Sequence, residues 1–422
     1  MNLGDVLKVK VDSVAFWGSG IARLEGCVIF IPGVCPGEEV MVRVMKIHPH
    51  FLVTELVSIE TPSPDRITPV CRVPETGERV PGCVYDHVTY PTEISYKQAQ
   101  FRDFLQRQGK LADVDKFLLP PVASPKDLHY RNKMELHVGK GPGGVLRLGY
   151  RGDDNKTVVD IPSCPLAFDP INVRLAEYRK SLGALREGMT VSFRWTPFNG
   201  VVAWTTGLRA DGTLQEETCI GPLEVAMDGF FQVNPEVGDL LLKEVMRHIK
   251  TYSPATFIDI YSGVGVFALA AARCDAGKVY GIEHAKAAIA LANRNAARLG
   301  LPVWFTCADA YQGASALMQN MEMRRCCVLV DPPRCGLCDS MRKFLAQRRP
   351  ETILYVSCAP DTLVRDLAKL VEDGGYQIRS AQVFDMFPRT AHFESLTVLR
   401  REPEGKDAAP EPAIPYSQLL DS

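Results

Sequence analysis

The chain has 422 residues, 46% of them hydrophobic and 23% charged, a size for two or three domains and a balance that excludes a fibre or wholesale disorder. A formal net charge of −2 gives no bulk argument for a polyanion partner, so any nucleic-acid site must be a local patch. No apolar run, Phe267 to Ala272 included, approaches the roughly 20 residues of a membrane span, and Met1-Asn2-Leu3-Gly4-Asp5 opens without a basic stretch ahead of an apolar one, so a cytoplasmic chain without membrane contact is expected.

Residues 1–60 carry five short Val/Ile/Phe-rich runs separated by turn signals such as Gly18-Ser19-Gly20, Pro32-Gly33 and Pro36-Gly37, which predict a small β-barrel. Thr61-Pro62-Ser63-Pro64-Asp65 reads as a linker. A second, β-rich domain is expected over 66–225, on runs such as Met134 to Val138, Val191 to Trp195 and Gly200 to Thr205. Within it, Tyr96, Ala99, Phe101, Phe104 and Leu105 give the stretch near 92–115 a helical apolar side. Over 226–400 buried-strand runs alternate with helical patterns. Phe257 to Ile260, Val279 to Ile282, Val303 to Thr306, Cys327 to Val330 and Ile353 to Val356 supply the strands, and the alternation predicts an open parallel α/β sheet. Residues 401–422, with four prolines and mostly acidic charge, read as a flexible tail.

Asp259-Ile260-Tyr261-Ser262-Gly263-Val264-Gly265 follows the first of these strands and opens a helix. Its glycines let backbone approach a ligand closely. Glu283 ends the second strand, where a carboxylate can accept both hydroxyls of a ribose, and Asp309 follows the third, level with an adenine. Position 268 is Ala rather than the third glycine of a dinucleotide fingerprint, which favours S-adenosylmethionine over NAD.

Asp331-Pro332-Pro333-Arg334 follows the fourth strand, at the end of the sheet where ligands bind. A stiff acidic Pro-Pro loop suits a planar base, and amino-group methyltransferases use a similar one. Cys358, at the end of the fifth strand, discriminates. Carbon 5 of a pyrimidine takes a methyl group only after a thiolate has added to carbon 6, and a helix opening near Asp361 is expected to lower the thiol pKa. Loss of the carbon-5 proton then needs a base, for which Glu394 is the candidate ahead of His392.

These residues, with Phe231-Gln232-Val233-Asn234, Gly336, Pro360 and His392-Phe393-Glu394, resemble the S-adenosylmethionine-dependent RNA uridine-5-methyltransferases over nearly the whole chain. The resemblance implies a class I, Rossmann-like methyltransferase domain behind an OB-like TRAM barrel that binds RNA, with the helix near 92–115 packed on the catalytic domain. It implies Cys358 as nucleophile and Glu394 as proton acceptor. Gln232, Tyr261, Gly263, Gly265, Glu283, Asp309 and Asp331 become the cofactor contacts, and Phe231 (or Phe230) and Arg334 the substrate contacts. Many relatives hold an iron–sulfur cluster on four cysteines. Here Cys71, Cys83 and Cys164 remain as ligand candidates, but Val80 replaces the first cysteine of the usual pair, which leaves the cluster open. Cys335-Gly336-Leu337-Cys338 has no second pair, which argues against a zinc ribbon.

Between Phe101 and Arg151 ten basic residues stand against five acids, and Tyr130-Arg131-Asn132-Lys133 mixes aromatic and basic groups, as an RNA surface would. The reading is methylation of carbon 5 of a uridine in structured RNA, leaning to 23S rRNA over tRNA, with no obligate protein partner. The alternatives are a tRNA uridine-5-methyltransferase, a nucleobase amino-group methyltransferase and a non-catalytic RNA-binding protein.

Overall fold

The computed structural model describes residues 1–73, 76–152, 154–206 and 212–401; the tail expectation falls outside them, apart from Arg401. Alternating Val, Ile and Leu let β1 (Val6–Val14), β2 (Gly20–Leu24), β3 (Cys27–Ile31), β4 (Glu39–Ile47) and β5 (Phe51–Thr61) bury one face each. They close into a barrel in the order β1-β2-β3-β5-β4. Glu38, buried where β4 begins, is held by Arg66 at 2.6 Å, which ties the barrel to the chain that leaves it.

Helix α1 (Tyr90–Asp103) begins with Pro91 in its first turn, where the missing N–H costs nothing. It runs into a π-helical turn over Phe104–Gln108. Its apolar side, Phe101, Phe104 and Leu105, joins the core of the C-terminal α/β unit rather than that of the β-rich domain around it. Lys97 is fully buried and lies 2.7 Å from both Glu93 and Asp385. Tyr90 donates to Asp385 at 2.8 Å, and Glu93 accepts the Arg389 amide at 2.7 Å. Burial raises the Glu93 carboxyl to about 7. This cluster clasps the segment that leads into Glu394. Replacing Lys97 by Met leaves buried carboxylates without a counter-charge, so a loss of about 3–5 kcal/mol is expected, read as a lower denaturant midpoint.

The second sheet is antiparallel, ordered β10-β9-β6-β7-β8. Its strands are β6 (Lys133–Lys140), β7 (Leu146–Arg151), β8 (Val158–Asp160), β9 (Thr190–Thr196) and β10 (Gly200–Thr205), with α2 (Asp169–Tyr178) packed against β9 and β10. A hairpin of β11 (Thr213–Glu216) and β12 (Leu223–Ala226) then leads to α3 (Pro235–Tyr252). Arg194 on β9 is buried against Glu216 at 2.7 Å and donates to the carbonyls of Ala226, Met227 and Gly229. The β-rich domain thereby anchors the turn before Phe230.

The α/β unit alternates β13 (Thr256–Ile260), α4 (Val266–Arg273), β14 (Lys278–Glu283), α5 (Lys286–Leu299), β15 (Val303–Cys307), α6 (Ala310–Met318), β16 (Cys326–Val330), α7 (Asp339–Arg348), β17 (Thr352–Ser357) and α8 (Pro360–Gly374). It ends in an antiparallel pair, β18 (Gln377–Phe384) and β19 (Glu394–Arg400). The sheet order is β15-β14-β13-β16-β17-β19-β18. The chain reverses direction across the sheet between β13 and β16, and the crevice lies beyond the carboxyl ends of those two strands. Among the described residues no helix is long and apolar enough to cross a membrane.

Candidate active site

The loop after β13 is shaped by its backbone. Tyr261 sits at φ 73°, an uncommon conformation for a bulky residue. It is held there because the amides of Tyr261 and Ser262 both donate to the Ile282 carbonyl at 3.0 Å. Gly265 sits at φ 92°, and a Cβ there would come within 2.7 Å of the Phe305 ring, so only glycine fits. Glu283 accepts the Gly263 amide at 3.1 Å and the Ala285 amide at 2.8 Å, which fixes its carboxylate over the loop. Asp309 caps α6 by accepting from Tyr311 and Gln312 through Oδ1, leaving Oδ2 for a ligand.

Two cavities, of about 740 and 1010 Å³, share Tyr261 as a wall. The first gathers Phe231, Gln232, Gly263 and Asp331, with Phe230 and Ser262; the second gathers Glu283 and Asp309. This donor set fits an adenosyl–amino-acid ligand. Glu283 and Asp309 supply acceptors for the ribose and base, and the Ser262 hydroxyl, buried without a hydrogen-bond partner, is free for a polar group. Gly265 lines neither cavity and acts through the turn. Phe231 packs into two apolar clusters with the Arg194 guanidinium 6.0 Å from its ring. Phe230, 77% exposed, offers the open face.

Asp259 is buried, with one oxygen accepting the Ala268 amide at 3.0 Å and the other unpartnered. Burial lifts its carboxyl to about 8. The unfolded value is about 3.9, so ionising it in the folded protein costs stability across the interval from about 4 to about 8. The melting temperature is expected to fall as pH rises through that interval, and Asp259→Asn to flatten the fall. A thermal-melt series from pH 5 to 9 measures both.

The reacting side chains meet through strand register. β17 and β19 pair antiparallel, the register ending with Ser357 opposite Ser395; Cys358 and Glu394 are the next residues out from that pair, and the Glu394 carboxylate acts on the Cys358 thiol. Glu394 is buried, 4% exposed, and begins a strand flanked on both sides rather than an edge strand. Its carboxyl is held well above the usual carboxylate range by burial first and by Asp331 second, opposed by Arg334. Burial also raises Asp331, to about 7. The Cys358 thiol is pushed up to about 11 by burial, then by Glu394 and Asp331, with Arg334 pulling it down. The helix start at Pro360 therefore does not give the lowered thiol pKa expected from sequence, because desolvation and two acids outweigh it. His392 is pushed down to about 4 by burial and by Arg334; it stays neutral at pH 7.

Sequence reasoning missed the clamp on the loop after β16. Gly336 sits at φ 70°, and Asp366 on α8 accepts the Leu337 amide at 2.8 Å, the Tyr355 hydroxyl at 2.7 Å and Arg342 at 3.0 Å. Arg365 donates to the carbonyls of Cys335 and Leu337. The signal was readable: Asp366 interrupts the apolar stripe Leu363, Val364, Leu367 and Leu370, which is buried in the same core.

The cysteine ligand set requires correction. Cys71, Cys83 and Cys164 share one apolar cluster with Val80, all of them buried, but no group of three or more histidines, cysteines or acids among the described residues is placed to hold a metal ion. The Cys83 thiol is held well above its ordinary value by its hydrogen bond with Cys71 and by burial, and Tyr150 donates to Cys164 Sγ at 3.5 Å. With an isopropyl group where a thiolate would stand, these residues do not fit an iron–sulfur cluster and serve as packing. All thirteen cysteines are free thiols.

Comparison with known proteins agrees with this architecture. Residues 222–402 match the model of the tRNA (uracil-5-)-methyltransferase family, and residues 2–57 match the TRAM domain. The chain is 30% identical to the 23S rRNA (uracil(1939)-C(5))-methyltransferase RlmD of Acidithiobacillus ferrooxidans, over 93% of this chain and 97% of that one. It is 29% identical to an uncharacterized RNA methyltransferase of Halalkalibacterium halodurans, over 94% and 98%. The crystal structure of the Pyrococcus abyssi tRNA (uracil-54, C5)-methyltransferase in complex with S-adenosyl-L-homocysteine superposes with a TM-score of 0.70 at 22% identity, covering 93% of this chain and all of that one; at that identity the likeness is one of fold. With its α/β crevice, its N-terminal barrel and this relationship to RlmD, the chain belongs to the S-adenosylmethionine-dependent RNA uracil-5-methyltransferase family.

Proposed function

We propose that the protein methylates carbon 5 of a uridine in 23S rRNA through a transient covalent bond from Cys358 to carbon 6. The observation that carries this reading is that Cys358 and Glu394 lie next to the last paired residues of β17 and β19, Ser357 and Ser395, with Asp331 and Arg334 acting on both. Tyr261, Glu283, Asp309, Gln232 and Asp331 hold S-adenosylmethionine, which supplies an electrophilic methyl group. The Cys358 thiolate adds to carbon 6, and the ring becomes an enolate nucleophilic at carbon 5. Once carbon 5 carries the methyl group, the Glu394 carboxylate removes its remaining proton, the ring electrons return and the carbon–sulfur bond breaks. Asp331 and Glu394 raise the thiol pKa, and Arg334 is the positive group that opposes them, so Arg334 favours both ionised forms that the cycle needs. Buried in the duplex, carbon 6 would be out of reach, so the target uridine must be flipped out or unpaired. Phe230, exposed beside the first cavity, is the ring assigned to stack on it.

The rRNA assignment is supported by the similarity to RlmD over nearly the whole of both chains. The test is a 23S rRNA transcript carrying 5-fluorouridine. Fluorine blocks the last elimination, so a stable protein–RNA adduct forms that Cys358→Ala lacks. A transcript that is competent for methylation yet leaves no adduct refutes the thiolate step, and one that is not methylated at all refutes the rRNA substrate.

A further inference from the structure

The loop between β1 and β2 leaves the barrel and inserts beside the crevice. Gln100 on α1 donates to the Ala15 carbonyl at 3.1 Å, and the Ser19 carbonyl accepts the Ala15 amide at 2.8 Å. Phe16 wedges edge-on between Phe104, 5.1 Å away, and Phe393, 6.1 Å away. Gly18 lies so close to Val84 that a Cβ there would clash at 2.6 Å. The loop is therefore rigid. At its tip Trp17 occupies φ 71°, a conformation that disfavours a bulky side chain, yet its indole is 61% exposed. A ring held in an unfavourable backbone conformation without burial in return points to a functional demand.

The indole stands edge-on to the His392 ring at 5.2 Å, and His392 in turn stands edge-on to Phe387 at 6.2 Å. His392 is two residues before Glu394 and feels the same Arg334. The exposed indole thus forms one wall of an aromatic corner on the rim of the reaction site, with a guanidinium nearby for a phosphate. An unpaired base suits this corner, because stacking on an indole needs only a flat π face and tolerates any base. The target uridine itself belongs deeper, at Cys358.

We propose that Trp17 is an RNA-binding residue that positions the substrate: the nucleotide next to the target uridine stacks on its indole, so that the N-terminal barrel takes part in presenting the base. This rests on the methyltransferase reading above. The test uses the full-length protein and unmodified 23S rRNA transcript, with Trp17→Ala and Trp17→Phe compared to wild type. Trp17→Ala is expected to raise KM for the RNA about tenfold, within the range that base–aromatic stacking supplies, and to change kcat less than KM. KM for S-adenosylmethionine and the melting temperature should stay at wild-type values. Trp17→Phe should recover most of the RNA affinity, and part of the tryptophan fluorescence quench on RNA binding should vanish in it. An RNA KM for Trp17→Ala equal to wild type overturns the proposal, as does a parallel loss of cofactor affinity or melting temperature, which would mark the residue as structural. If the wild type methylates the transcript and Trp17→Ala matches it, only this inference falls; if the wild type does not, the rRNA reading falls and takes the stacking partner with it.

Discussion

Cys358→Ala is expected to reduce methyl transfer by at least about four orders of magnitude while leaving RNA and S-adenosylmethionine affinities near wild type. Without sulfur addition carbon 5 has no electron pair to offer, and no neighbouring group can substitute, because Glu394 and Asp331 are far weaker nucleophiles and His392 lies on the preceding loop. Cys358→Ser tests the same point with the volume nearly kept; a hydroxyl in that desolvated setting stays protonated at any usable pH. Tritium release from [5-³H]uridine RNA measures the loss. Because the thiol of the wild-type protein is held at about 11, and Glu394 above the usual carboxylate range, both groups ionise as pH rises. The rate of adduct formation is therefore expected to climb from pH 7 towards pH 10, with no falling limb from either.

Glu394→Gln should separate the two halves of the reaction. The amide is nearly isosteric and relieves the buried acid, so the thiol loses a neighbouring negative charge and adds to the ring at least as readily. Proton removal then lacks its base, a loss of roughly 10²–10⁴ in turnover. The methylated ring should accumulate on the protein as an adduct with unsubstituted RNA, visible as a slow-migrating band that wild type does not build up. Equal turnover in Glu394→Gln would move the base elsewhere, with Asp331 the next candidate.

Much of this was legible in the chain. Apolar runs marked all five parallel strands: those covered on both faces have no polar side to show, and the edge strand β15 was legible from its run although it is partly exposed; the acids at their ends followed from the topology. The barrel was legible from alternation and turns. What escaped was set by long-range packing. Glu93 and Lys97 are four residues apart, the spacing of an ordinary surface pair; only Asp385, almost three hundred residues later in the chain, makes them a buried cluster. Glu394 was legible as the base, but its burial was not, because the strand order that sets β19 between β17 and β18 is a long-range feature. The thiol pKa was misjudged because sequence reveals the nearby helix start but not the acids that fold around it. The cysteines of the β-rich domain were legible as a group, and Val80 carried the sign that they had become packing.

Nucleophile and base in this crevice are not carried on two mobile arms. Each sits one residue beyond the same paired neighbours, Ser357 and Ser395, on two adjacent interior strands of a seven-stranded sheet. Their spacing is inherited from the pitch of the sheet itself, so warming or crowding can loosen how RNA arrives without detuning the two groups that act on it. Heat should thus silence the chemistry only when the whole scaffold gives way, and not before.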